Sequence, residues 1–422
     1  MGLQSDLQRK PEIGRVEFIV LMAFIMLLTA LAIDIMLPAF DQLREYFNLG
    51  QASTATAQIV TFFFVGQIGQ LAFGPLADRY GRLAVMRGGF ALYIAGSVAA
   101  ALSPSLSLIF AARFVVGLGA AALSVGAVTS VRDRFSGDQM ARTMALILTI
   151  FLFVPVIAPI LGSAILAATS WQVVFLTPAI VAILVFFWAL RLRESLLPER
   201  RLPLDVPTLI KSGRQVLGNR TFVAYTVLTT ILFSAFSSYI GSSERMINEI
   251  FGRPELFVWI FSAIGLTMAA FTFLNAQLIG RFGAKRVVRG MLLAYLLLAG
   301  GLLLLSLVQN GTPNIYLFFA VIALLQGIFV AVEPSSGALA LEPLGSTAGM
   351  AAAIYGTSFF VVGSVLGSFI DRQLVSSVTP LAVGYVITAL LANVLAYLAR
   401  ARTVTTAADV SAVNAPSSQI GD

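Results

Sequence analysis

Along most of this chain apolar residues do not alternate with polar ones. They run in stretches of about 20, separated by short segments that hold the charges and many of the glycines and prolines. A helix rises 1.5 Å per residue, so about 20 apolar residues cross the hydrocarbon core, and a helix satisfies its own backbone there. The pattern predicts twelve membrane helices, at 17–40, 54–76, 84–103, 106–130, 141–167, 171–193, 221–243, 255–280, 285–308, 314–340, 347–370 and 378–400. The first run, from Val16, is too long for a signal-peptide core and lacks a cleavage site, so it reads as helix 1. The longest interruption, Arg191 to Arg220, is basic and carries Pro198, Pro203 and Pro207. It divides the chain into a six-helix bundle at 1–193, a linker at 194–220 and a second six-helix bundle at 221–400. The remainder, 401–422, is rich in Ala, Thr, Ser and Val and is expected to be a disordered tail.

Charge placement adds an orientation. Of the 27 Lys and Arg residues, 22 fall at the termini and in the loops that follow even-numbered helices, and 4 in the other loops. Arg113 lies inside helix 4 and completes the 27. The positive-inside rule then puts both termini in the cytoplasm of a bacterial inner membrane. The formal charge of +7 is therefore topogenic, and no nucleic-acid partner is expected. The chain has no Cys and no His. Disulfides, thiolate nucleophiles and Cys- or His-ligated metals are thereby excluded. A transported proton would have to ride on a carboxylate whose pKa is raised by its surroundings.

An internal repeat supports the two halves. Pro75-Leu76-Ala77-Asp78-Arg79-Tyr80-Gly81-Arg82 follows helix 2, and Gln277-Leu278-Ile279-Gly280-Arg281-Phe282-Gly283-Ala284 follows helix 8. Leu, Arg and Gly recur in register, an aromatic precedes each Gly, and Arg87-Gly88 matches Arg289-Gly290. One offset of 202 residues aligns them all, as duplication of a six-helix unit requires.

On these residues the chain resembles the major facilitator superfamily. Gly74 to Arg82 matches the signature between helices 2 and 3, with Leu83 where a second basic residue is usual. Arg113-Phe114-Val115-Val116-Gly117-Leu118-Gly119-Ala120 is similar to the helix 4 signature of proton-coupled members. Ala158-Pro159-Ile160-Leu161-Gly162 is similar to the helix 5 motif of antiporters, with Ser163 where a second Gly is common. Ala32-Ile33-Asp34-Ile35-Met36-Leu37-Pro38-Ala39 resembles helix 1 of the Bcr/CflA drug-efflux subfamily. The resemblance implies an all-α membrane fold of two six-helix bundles related by a pseudo-two-fold axis, with a cavity between them.

Three groups of residues are candidates for the chemistry. Asp34 is a carboxylate inside a span, which costs several kcal/mol unless it faces a cavity or a partner; a headgroup-level helix end is the plainer reading. Arg113 falls at a similar depth and does not release its proton, so it serves either as a fixed charge near Asp34 or as a hydrogen-bond hub for carbonyls of helix 4. Glu333 precedes Pro334, which loosens the helix, and is open to a binding, gating or loop-pairing role. Asp78, Arg79 and Arg82 suit a latch of charge pairs that forms in one conformation and breaks in the other, or simple topogenic charge. Gly117, Gly119, Gly126, Pro155, Pro159 and Gly162 suit close packing and bending of helices 4 and 5. Gln67, Gln70, Asn275, Gln277 and Gln326 either line the cavity or bond between helices, and Tyr239, Tyr355 and some phenylalanines suit its apolar wall. Glu244-Arg245 and Asp371-Arg372, at outer helix ends, are expected to be solvated.

The best reading is a monomeric secondary transporter that exports small amphipathic molecules against protons, with no cofactor. The alternative is an importer of a nutrient or vitamin, such as riboflavin, on the same fold. An enzyme is disfavoured, because the sequence has no nucleotide-binding loop, metal cluster or nucleophile–base pair.

Overall fold

A computed structural model describes residues 13–50, 53–196, 199, 201 and 204–413. Among these it contains twelve helices long and apolar enough to cross a membrane and no strands. They are α1 (Arg15–Tyr46), α2 (Ala57–Tyr80), α3 (Arg82–Ala101), α4 (Leu106–Arg134), α5 (Arg142–Ala168) and α6 (Trp171–Ala189), then α7 (Arg220–Ile250), α8 (Pro254–Phe282), α9 (Ala284–Val308), α10 (Ile315–Gly345), α11 (Ala348–Asp371) and α12 (Thr379–Leu398). Each coincides with one expected span.

Local chemistry sets several ends. Ser105, Asn219 and Asn314 cap α4, α7 and α10 by accepting from Leu108 N, Phe222 N and the Tyr316 and Leu317 amides. The α2–α3 and α8–α9 turns each require a left-handed residue, Gly81 at φ 106° and Gly283 at φ 78°, which lie 202 positions apart. Helix α1 runs past its expected end because Pro38 sits in a 3₁₀ turn, Leu37–Ala39, after which Phe40–Tyr46 resumes the helix. The linker is not featureless. It folds into an amphipathic helix, Val206–Gly218, that packs on α11, whereas Pro198 and Pro203 lie outside the described residues. The backbone of the last helix stays helical to Val413 and so enters the stretch expected to be disordered, where alanines favour helix; residues 414–422 lie outside the described residues.

Helix packing repeats with a shift of six. In the first half α1 packs on α4, α5 and α6, α2 on α4, and α3 on α4 and α6. In the second half α7 packs on α10, α11 and α12, α8 on α10, and α9 on α10 and α12. Across the halves α2 meets α11 and α5 meets α8, one pairing seen twice under the repeat. Helices α1, α4, α7 and α10 form the interior, with 56–72% of their apolar windows buried against 28–44% for the other eight. These interior helices carry Asp34, Arg113, Glu244 and Glu333.

Candidate functional site

A cavity of about 810 Å³ lies between the halves on the side of the linker helix. Met26 and Thr29 of α1, Gln67 and Gln70 of α2, Ser124 of α4 and Phe360 of α11 are among its walls. Asp78, Arg82 and Asp133 stand at its mouth, with Asp205 and Thr208 of the linker helix. The walls are mainly apolar with a few convergent polar groups, the composition of a small-molecule site. Gln67 donates to the Gly117 carbonyl and accepts from Gln70, which fixes both amides on one wall. Asn275, Gln277 and Gln326 are not among the cavity residues; Asn275 instead donates to Ser335 Oγ between α8 and α10.

Beyond the cavity the halves close on an aromatic contact. Phe64 of α2 packs edge-on to Phe233 of α7 at 5.0 Å and stacks on Phe360 at 5.7 Å, and Phe233 lies 4.3 Å from Phe359. Phe359 and Phe360 belong to a π-helical turn, Ser358–Val362, which turns these two rings toward the seam.

Asp34 sits deeper still, five residues and roughly 7.5 Å along α1 from Thr29. It is 4% exposed, and among the described residues it has no ion-pair or hydrogen-bond partner. The buried Tyr239 hydroxyl of α7 lies within electrostatic reach and has no hydrogen-bond partner among the described residues. Arg113 comes to the same level of α1 but does not pair with Asp34. Its guanidinium donates to the Ala32 carbonyl at 2.7 Å and lies 4.9 Å from the Phe63 ring centroid, while its Nε has no hydrogen-bond partner among the described residues. Arg113 thus bonds a carbonyl of α1 rather than of its own helix.

Small residues make these approaches possible. A Cβ at Gly162 of α5 would collide with the Ile35 carbonyl, next to Asp34. Gly117 and Gly66 sit against each other's helices, and Gly119 of α4 lies against Tyr93 of α3. Pro159 is buried in the same face of α5 as Gly162.

On the linker side Arg82 bonds Asp78 at 2.6 Å and Asp133 at 3.1 Å. Glu194 accepts from the Arg82 and Leu83 amides and so caps α3. Arg82, Asp78 and Asp133 belong to the first half, and Glu194 is the first residue of the linker. Arg79 is outside this cluster, with its guanidinium over the Tyr80 ring. Glu333 is half-buried and accepts from the Tyr355 hydroxyl at 3.1 Å, between α10 and α11. Neither residue borders the described cavity.

The far side corrects the sequence reading. Glu244, Arg245 and Asp371 are not solvated; each is at most 4% exposed. Arg44 at the end of α1 makes a bidentate pair with Glu244 of α7, both bonds 2.8 Å, and a further pair with Glu249 at 2.8 Å. Arg245 bonds Glu249 and donates to the Leu374 and Val375 carbonyls. Ser238 and Ser242, one turn apart on α7, donate to Asp371 at 2.6 and 2.8 Å. Solvent exposure is the wrong expectation for these three because their partners come from other helices, Arg44 of α1 for Glu244 and Ser238 and Ser242 of α7 for Asp371. The missed signal was scarcity: Arg44 and Arg245 are two of the four basic residues on that side.

With this geometry, known proteins give a consistent comparison. Residues 22–368 match the family model described as Major Facilitator Superfamily. An uncharacterized MFS-type transporter of Bacillus subtilis, YdgK, is 28% identical over 84% of this chain and 89% of its own. A bicyclomycin resistance protein homolog of Haemophilus influenzae is 27% identical over 86% of this chain and 91% of its own. The crystal structure of a D-xylose–proton symporter superposes with a TM-score of 0.72 at 14% identity, over 91% of this chain and 97% of that one, which is a likeness of fold.

Proposed function

Because the chain belongs to the Major Facilitator Superfamily, and is thus a multi-pass membrane transporter rather than an enzyme, we propose that it exports small amphipathic molecules in exchange for protons. The observation that carries this reading is Asp34, a buried carboxylate without an ion partner, one aromatic layer beyond a mainly apolar cavity. A charge inside a span is costly, so protonation of Asp34 and opening of a hydrated path to it are coupled events. Arg113 acts as a fixed charge on the same stretch of α1. It makes the region between α1 and α4 less hospitable to a second cation.

Two charge clusters supply the alternation. The Arg44–Glu244–Glu249 cluster holds the far side shut while the cavity stands open on the linker side. The Asp78–Arg82–Asp133 cluster rests within the first half in this state and exchanges partners when the linker side closes. In this reading the linker side is cytoplasmic, both termini are cytoplasmic, the membrane is a bacterial inner membrane, and the protein works as a monomer. Export is favoured over uptake by the name of the bicyclomycin resistance homolog and by the amphipathic character of the cavity.

The test is flux of ethidium and of bicyclomycin in proteoliposomes with an imposed pH gradient of either sign. Antiport predicts uphill movement of the probe only toward the acidic compartment. Uphill movement in the same direction as protons would establish an importer and overturn the proposal.

A further inference from the structure

The outer surface of the second half carries a groove of about 530 Å³ between α8 and α9, floored by Leu324 and Ile328 of α10. Its walls include Phe271, Leu278, Gly290 and Leu298, and its one charged residue is Arg286. From Arg286 to Leu298 is twelve residues of helix, roughly 18 Å. One leaflet of hydrocarbon is roughly 15 Å thick. The groove thus has the length of one acyl layer and a positive charge at its polar end.

Basic residues gather at that end. Arg281, Lys285, Arg286 and Arg289 fall within nine residues, and the sequence has no acidic residue between Glu255 and Glu333. Among the described residues none of the four makes an ion pair. The equivalent turn of the first half is different: Arg82 is held there by Asp78, whose counterpart 202 positions on is Gly280. One repeat satisfies its basic turn with a carboxylate, whereas the basic residues of the other have no ion-pair partner among the described residues.

We propose that this groove is a binding site for one anionic phospholipid, its acyl chain lying along α9 and its phosphate on Arg286. A basic cluster beside an interhelical groove at the headgroup level is the arrangement that selects anionic lipid. The site is independent of the transport reading, because nothing in it depends on Asp34 or on the direction of flux.

The experiment is a titration of the purified full chain in detergent with dioleoyl-phosphatidylglycerol or dioleoyl-phosphatidylcholine, with bound lipids counted by native mass spectrometry. The first phosphatidylglycerol should bind about fivefold tighter than phosphatidylcholine, the preference one basic residue provides near a headgroup. Arg286→Gln should remove that preference. Gly290→Leu should weaken both lipids, since a Cβ at Gly290 meets nothing within 4 Å and the side chain is free to fill the groove. Arg372→Gln, exposed on the far side, should change neither. Equal binding of the two lipids by the unmodified chain would overturn the proposal. So would a preference that survives both substitutions, a preference lost equally in Arg372→Gln, or displacement of the lipid by excess glycerol 1-phosphate.

Discussion

Glu244→Gln tests whether the far side is held by its ion cluster. The substitution keeps shape and one acceptor oxygen but removes the charge and one of the two 2.8 Å bonds from Arg44. Charge-assisted hydrogen bonds contribute about 1.5–3 kcal/mol each, and breaking a fully buried pair costs about 3–5 kcal/mol. Arg44 retains Glu249 at 2.8 Å and Asp41 at 3.3 Å, so the lower range applies. If those bonds exist only in the closed state, the open state gains about 1.5–3 kcal/mol, a population shift of roughly 10- to 150-fold. The assay uses the absence of native cysteine. Ala57→Cys places one thiol where α2 meets α7, at a site 4% exposed, and its alkylation by an impermeant maleimide reports separation of those helices. Labelling should accelerate by at least tenfold in Glu244→Gln. Asp41→Asn, whose side chain is 72% exposed, should change the rate less than about twofold. An unchanged rate in Glu244→Gln, or an equal rise in Asp41→Asn, would refute the idea that the buried pair holds this face closed.

Other consequences follow from the same geometry. Gly162→Val drives a side chain into the Ile35 carbonyl and should cost about 1–3 kcal/mol, read as a lower thermal midpoint, whereas Gly300→Val, with nothing within 4 Å, should leave it unchanged. Replacing Ser238 and Ser242 together by Ala strips two hydrogen bonds from buried Asp371 and should destabilise the chain by about 2–3 kcal/mol, with adding Asp371→Asn restoring part of the loss in the same thermal assay. Asp78→Asn leaves Arg82 with Asp133 and Glu194 in place, so fold and binding should persist while turnover falls; unchanged turnover at normal expression would leave Asp78 a topogenic charge only.

What the sequence disclosed, and what it withheld, divides along physical lines. Spans were legible because a lipid-crossing helix needs a continuous apolar run, and no other requirement competes with it. The repeat was legible because Gly81 and Gly283 are forced by positive φ, so both copies keep them. Asp34 and Arg113 stood out as charges inside apolar runs, and both are buried on α1 and α4. Their relation was not legible. Depth along a helix follows from counting residues, but rotation about the axis does not, and rotation gives Arg113 the Ala32 carbonyl rather than Asp34. The far-side cluster was missed for a similar reason. Arg44 and Glu244 are 200 residues apart, and only the docking of α1 on α7 makes them partners. Arg79 was grouped with its neighbours by spacing, yet one residue turns a side chain by about 100° on a helix and takes it out of the cluster.

The central claim is that the transported proton rides on Asp34, and proton-coupled flux in single mutants tests it most directly. Asp34→Asn fixes the neutral state, and Glu333→Gln does the same for the comparable acid of the second half, which already has the Tyr355 hydroxyl as a partner. Both variants are reconstituted into liposomes with an imposed pH gradient, and accumulation of ethidium is followed beside its downhill exchange. The account predicts that Asp34→Asn loses gradient-driven accumulation and keeps exchange, that Asp34→Glu recovers part of the accumulation, and that Glu333→Gln remains coupled. Full coupling in Asp34→Asn with loss only in Glu333→Gln would contradict it and move the proton site to α10.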